Sequence, residues 1–261
     1  MKAKLFDKAG KEKGTVDLPK SFTARIREDI LSKVFQAQLG LYRQAYGAME
    51  GAGAQYSASG ISKKKRHDWK ATYGKGISRV PRKVMSRHGA SFNWIGATVS
   101  NTRGGRRPHA PRSAKVLLKK TNKKELAMAF NSAIAGTVDA KSLAKKYNKK
   151  VESGLVFESD ILEVKTKDFI ATMKVVFGDA FSTVLKNKQI RAGIGKMRGR
   201  KYKSNAGLLF VLGNEESMKR KGITVVNVCD LTIKDLSPNG EPGRLVCYTE
   251  NAIKDMGERF K

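Results

Sequence analysis

Leu208-Leu209-Phe210-Val211-Leu212 is an unbroken run of five large apolar residues. A strand with one face in water alternates apolar and polar side chains, whereas a strand covered on both faces reads as continuously apolar. A run this short therefore predicts a buried parallel strand. Working outward, Thr224–Val228 and Arg244–Tyr248 read as two more such strands, and Gly154–Phe157 as another. Helical patterns separate them. Thr166–Phe177 carries Phe169, Ile170, Met173, Val176 and Phe177 on one face, and Asp179–Asn187 follows as a second helix. Glu215–Lys221 reads as a short helix, Asp230–Leu236 as helix or turn, and Glu250–Arg259 as a closing helix. Strand–helix alternation of this kind implies a mostly parallel sheet flanked by helices, an α/β class with a Rossmann-like globular domain.

The amino-terminal part fits the same domain. Residues 2–6 and 14–18 read as strands around a turn near Gly10. A helix is expected from Thr23 to Arg43, with Ser21 or Thr23 as cap and Ile26, Ile30, Val34 and Leu41 near one stripe. Asn122-x-x-Glu125 is a capping box for a helix with Leu126, Phe130 and Ile134 on one side. Asp139 can cap a continuation that holds Leu143 and Tyr147.

Leucine divides the chain. Residues 1–45 and 114–261 hold 18 Leu, and Tyr46–Ser113, 68 residues long, holds none. That stretch has 14 Lys or Arg against two acids, Glu50 and Asp68, with ten Gly, both Trp and all three His. It cannot bury enough apolar surface to offset its ordering entropy, so it is not expected to fold by itself. The expectation is one long extended, non-globular loop, 46–113, inserted in a globular domain made of 1–45 and 114–261. Tyr46, Tyr56, Trp69, Tyr73, Phe92 and Trp94 are interleaved with its cations. Cations for phosphates, glycines for close backbone approach and aromatics for stacking on unpaired bases make a composition suited to threading through RNA. A hairpin excursion with half the loop each way reaches at most on the order of 110 Å, at about 3.3 Å per residue.

Charge points the same way. The sequence holds 53 Lys plus Arg against 23 Asp plus Glu, a formal +30. Such self-repulsion weakens a compact free protein unless a polyanion neutralises it. A membrane binder would show a basic amphipathic helix or a lipid signal, and neither is present. The first residues, Met1-Lys2-Ala3-Lys4-Leu5-Phe6, do not read as a signal peptide, and the uncharged stretch Leu126–Val138 is too short to span a bilayer. Cys229 and Cys247 read as two buried thiols on core strands.

Enzyme motifs fail on inspection. Gly193-Ile194-Gly195-Lys196-Met197-Arg198-Gly199 resembles a dinucleotide fingerprint only loosely, with its third glycine one position late and more cations where a helix should open. No P-loop string and no Gly-x-Ser-x-Gly occurs. His67, His88 and His109 all lie in the inserted stretch, away from a scaffold that could orient a base. Asp160, Glu163 and Asp230 suit caps and surface charges better than a metal site, so neither metal nor cofactor is expected. Lys188 to Asn205, in contrast, holds seven cations, three glycines and no acid, a second phosphate-binding patch. The rival reading is an RNA-processing or RNA-modifying enzyme on an α/β scaffold, which would need a cofactor-binding strand–turn–helix or clustered acids.

Several strings, in order, resemble the fourth large-subunit ribosomal protein family in its archaeal and eukaryotic form. They are Tyr73-Gly74-Lys75-Gly76-Ile77-Ser78-Arg79-Val80-Pro81-Arg82, Gly104-Gly105-Arg106-Arg107-Pro108-His109-Ala110-Pro111, Ile190-Arg191-Ala192-Gly193, Arg198-Gly199-Arg200-Lys201-Tyr202 and Pro242-Gly243-Arg244-Leu245. The resemblance implies a cytoplasmic constituent of the large ribosomal subunit. Its partners would be large-subunit ribosomal RNA, neighbouring ribosomal proteins and the nascent polypeptide, its long loop lining the exit tunnel near Trp69–Arg82. No membrane and no catalysis are implied. The residues expected to touch RNA in the inserted stretch are Lys63, Lys64, Lys65, Arg66, Trp69, Tyr73, Gly74, Lys75, Gly76, Arg79, Arg82, Lys83, Arg87, Arg103, Arg106, Arg107, His109 and Arg112. In the second patch they are Arg191, Lys196, Arg198, Arg200, Lys201 and Lys203.

Overall fold

The computed structural model describes residues 1–58, 65–148 and 154–260. It divides into two compact units, Met1–Tyr42 with Leu118–Lys261, and Arg43–Leu117. In chain order the strands and helices are β1 (Lys2–Phe6), β2 (Glu12–Asp17), α1 (Glu28–Leu41), β3 (Arg82–His88), β4 (Ser91–Gly96), α2 (Lys123–Val138), α3 (Ala140–Tyr147), β5 (Leu155–Phe157), α4 (Thr166–Phe177), α5 (Phe181–Val184), β6 (Lys188–Ile190), β7 (Tyr202–Ser204), β8 (Leu209–Leu212), β9 (Thr224–Asn227), α6 (Ile233–Leu236), β10 (Val246–Thr249) and α7 (Glu250–Arg259).

The first unit is built on a six-stranded sheet in the order β2-β1-β5-β10-β8-β9. Only the β1–β2 pair is antiparallel, and the other four pairings are parallel. The alternation of side chains along each strand then separates two apolar layers. Val156, Leu209, Val211, Val246 and Tyr248 pack with residues of α1, α2, α6 and α7 on one face. Leu155, Phe157, Phe210, Leu212 and Cys247 pack with Leu143 of α3 and with α4 and α5 on the other. Both faces of the central strands are covered, which is why they read as unbroken apolar runs. The Tyr248 hydroxyl, buried in the first layer, meets the Thr137 hydroxyl at 2.9 Å, so its one polar atom keeps a partner.

Three local expectations are corrected. The first long helix starts at Glu28 rather than Thr23, because Lys20–Thr23 closes a separate 3-10 turn that buries Phe22 edge-on against Tyr248 at 5.4 Å. Neither Ser21 nor Thr23 caps it. Thr23 donates to the Lys20 carbonyl, and the Arg27 N–H donates to Ser132 Oγ at 3.2 Å. The stretch 215–221 is not helical, because Glu216 turns inward and its carbonyl accepts from Asn227 Nδ2 at 3.3 Å. Cys247 is buried on β10, but Cys229 is exposed in the turn after β9.

The second unit has no counterpart to these layers. Its regular structure among the described residues is the antiparallel hairpin β3–β4, turned at Gly89-Ala90 with His88 opposite Ser91. Val84, Met85, Trp94 and Ile95 supply the β-forming residues, a hairpin signal in a stretch expected to be extended loop. Among the described residues here, the buried ones are few and small apart from one cation: Ala71, Thr72, Arg82 and Ala97. Close backbone approach does part of the work of a core. A Cβ on Gly105 would lie 1.9 Å from the Val99 carbonyl oxygen, so only glycine fits that fold-back.

Candidate nucleic-acid interface

The second basic patch is a protruding ribbon. Strands β6 and β7 pair antiparallel, with Lys188 opposite Ser204, Gln189 opposite Lys203 and Ile190 opposite Tyr202. All six residues are exposed. The glycine-rich string that loosely resembled a dinucleotide motif forms the far turn, a 3-10 turn at Ile194–Lys196 in which the Arg200 N–H donates to the Gly195 carbonyl at 3.0 Å. Arg191, Lys196, Arg198, Arg200, Lys201 and Lys203 are all exposed. With no acid between Lys188 and Asn205, this ribbon holds a concentrated positive field that its own side chains do not neutralise.

Sequence reasoning missed what anchors this ribbon. Asn205 clasps its root: its amide oxygen accepts from the Asn187 N–H at 2.9 Å and its nitrogen donates to the Leu185 carbonyl at 3.1 Å. Behind it lies Arg244, from the string Pro242-Gly243-Arg244-Leu245, 4% exposed. Its guanidinium donates to the carbonyls of Ala206 (3.0 Å), Gly207 (3.3 Å) and Asp235 and to Thr224 Oγ1 (3.0 Å). One fork of donors thus fixes the point where the ribbon re-enters β8 to β9 and to α6. Burial pulls the Arg244 value down from the ordinary arginine range, and the ring of carbonyl acceptors offsets that desolvation.

In the second unit, cations gather on aromatic rings. Arg66 and Arg79 lie 5.7 and 4.9 Å from the centre of the Tyr73 ring. Lys75 and Arg82 lie 5.1 and 6.0 Å from the Trp94 ring, and Lys83 lies 4.4 Å from Tyr56. Trp69 meets Trp94 edge-on at 6.2 Å. Each exposed pair contributes about 0.5–1 kcal/mol. Lys65, Arg66, Trp69, Gly74, Lys75, Gly76, Arg79, Lys83, Arg87, Arg103, Arg106, Arg107, His109 and Arg112 are exposed, and Tyr73 is half-buried. Gly76, at φ +66°, faces open space, which leaves room for another backbone to approach. Arg82 differs: it is 7% exposed and donates to the Val80 carbonyl at 3.1 Å, so it holds the hairpin rather than facing outward. Lys63 and Lys64 lie outside the described residues.

The carboxyl ends of parallel strands are where α/β folds receive phosphorylated ligands. Here an internal carboxylate occupies that place. Glu216 accepts from the Gly213 N–H (2.8 Å), Thr249 Oγ1 (2.5 Å), Ser159 Oγ (2.9 Å) and Asn251 Nδ2 (3.0 Å). Partial burial pushes its carboxyl up, but those donors outweigh it and hold Glu216 below the usual carboxylate range. Donors that would otherwise face an anionic ligand are spent on the chain's own acid. Among the described residues, no group of three or more His, Cys, Asp or Glu could hold a metal ion.

Comparison with known proteins matches residues 16–259 to the ribosomal protein L4/L1 family. The chain is similar to the large ribosomal subunit protein uL4 of Nanoarchaeum equitans, 34% identical over 99% of this chain and 98% of that protein. It is also similar to the proteins of that name from Thermoplasma volcanium, 35% identical over 98% of each chain, and from Methanocaldococcus jannaschii, 34% identical over the whole of both.

Proposed function

Because the chain belongs to the ribosomal protein L4/L1 family, we propose that it is a structural, non-catalytic constituent of the large ribosomal subunit, held there by large-subunit ribosomal RNA. The observation that carries the RNA part is the ribbon Lys188–Ser204, exposed on both strands and bearing cations with no acid among them. Each lysine or arginine that meets a phosphate releases condensed counterions, so binding strengthens with every contact and weakens steeply with salt. The globular unit, Rossmann-like in its parallel sheet between two helical layers, docks through this ribbon. The inserted stretch 46–113 is a second, larger contact. Its ring-bound cations Arg66, Lys75, Arg79 and Lys83 offer phosphates a field already concentrated in place, and Trp69, 49% exposed, offers a surface for an unpaired base.

Within the subunit, the part around Trp69–Arg82 lines the exit tunnel beside the nascent polypeptide and a neighbouring ribosomal protein. Its place is the cytoplasmic ribosome, without a membrane partner. No helix among the described residues is long and apolar enough to cross a bilayer.

The test is sedimentation. The chain should travel with large subunits through a gradient at high salt. The variant with Lys196, Arg198, Arg200 and Lys201 all changed to Ala should leave the particle at lower salt and bind isolated ribosomal RNA with a shallower salt slope, by roughly one unit per lost contact. Loss of the unmodified chain from the particle at moderate salt would overturn the proposal.

A further inference from the structure

The ribbon carries more than phosphate-binding groups. Four large side chains on it are exposed: Ile190 at 61%, Ile194 at 64%, Met197 at 82% and Tyr202 at 51%. A patch that met only phosphates would have no use for them, and leaving them in water is unfavourable. Their placement is ordered. Ile190 and Tyr202 stand directly opposite across the β6–β7 ladder, so both side chains project from the same face. Lys188 lies two residues from Ile190 on that face, its ammonium 6.0 Å from the Tyr202 ring centre, and Lys201 brings a second ammonium to 5.6 Å. Gln189 and Lys203, paired between the other two, project from the opposite face.

This rests on reading the ribbon as an RNA contact, and the occupant follows from the chemistry. A polyanion is required by seven cations without an acid. An unpaired base is required by a flat ring next to a branched aliphatic side chain, because a paired duplex keeps its base faces stacked inside. We propose that the Ile190–Tyr202 face of the ribbon is a stacking platform for one unpaired ribosomal RNA base, with Lys188 and Lys201 taking the phosphates that flank that nucleotide. The aromatic face gives a contribution that does not depend on salt, and the two lysines give one that does.

The experiment uses the full chain and two RNA probes of equal length and charge, a stem–loop with unpaired purines and a fully paired hairpin closed by a minimal loop, each titrated across a range of salt. Tyr202→Ala should weaken binding of the stem–loop by roughly tenfold, in line with about 1–3 kcal/mol for one stacked base, and leave the salt slope unchanged. The paired probe should be unaffected, and Tyr202→Phe should retain the wild-type affinity. Thermal melting of both variants at the wild-type temperature keeps a folding defect out of the comparison. If Tyr202→Ala is silent on the stem–loop, or weakens both probes equally, the platform is wrong even where the four-cation variant still flattens the salt slope. If that variant leaves the slope unchanged, the ribbon does not bind RNA and the broader reading falls with it.

Discussion

The globular unit and the insertion are held together by different means. In the first, Phe157, Phe169, Phe210 and Tyr248 sit fully buried among leucines and isoleucines on two sides of a sheet. In the second, cations sit on rings, a glycine lets the backbone fold back on itself, and among the described residues only Ala71, Thr72, Arg82 and Ala97 are buried. The difference teaches where a partner is needed. An apolar interior is complete without one, whereas a scaffold of exposed cations with two acids in Tyr46–Ser113 leaves its charge to be balanced from outside. Substitutions that probe the two regions should therefore separate stability from RNA affinity.

The largest effect on stability belongs to the sheet. Phe210→Ala should lower it by about 3–5 kcal/mol in denaturant unfolding, because Phe210 is fully buried and packs on Phe157 and Phe169 at 6.0 Å. A loss close to zero would break the comparison at its stronger end. Next comes Arg244→Met, which keeps the volume and removes the donors. It should cost about 2–4 kcal/mol by stranding buried carbonyls, and also weaken RNA binding by loosening the ribbon's root. Stability lost with RNA affinity unchanged would separate the clasp from the interface. Smallest should be deletion of residues 50–110 with a short linker. Melting of the remaining unit should stay a single cooperative transition within a few degrees of the full chain, because no leucine is removed. A broad, multi-step melt would show that the insertion takes part in the fold.

Much of the sheet was legible in the residues. Thr166–Phe177 and Glu250–Arg259 form helices over the ranges their patterns predict, and Asp139 caps the helix after it by accepting from the Ser142 N–H at 3.0 Å. The runs at 208–212 and 224–228 form the neighbouring strands β8, buried along its length, and β9, half-buried at the sheet edge. The position of β10 between β5 and β8 was not legible, since nothing in a four-residue strand names partners some 40 and 90 residues away in the sequence. The non-helical stretch 215–221 was hidden for a similar reason. Its helix-forming residues are overridden by the distant donors Thr249, Asn251 and Ser159 that draw Glu216 inward. At the candidate interface, exposure of the lysines and arginines follows from composition. Burial of Arg82 beside Trp94 and the clasp of Arg244 do not, because each depends on which carbonyls the fold brings near.

The place of β10 has a consequence for how a growing chain becomes a finished one. The strand that joins the two halves of the sheet, pairing with β5 on one side and β8 on the other, is the last in chain order among the described residues. A polypeptide halted before Val246 would hold β2-β1-β5 and β8-β9 as separate fragments, each with an open edge where the keystone belongs. Closure of the sheet thus waits on one late pairing event, and molecules that lack β10 are left with an unfinished sheet.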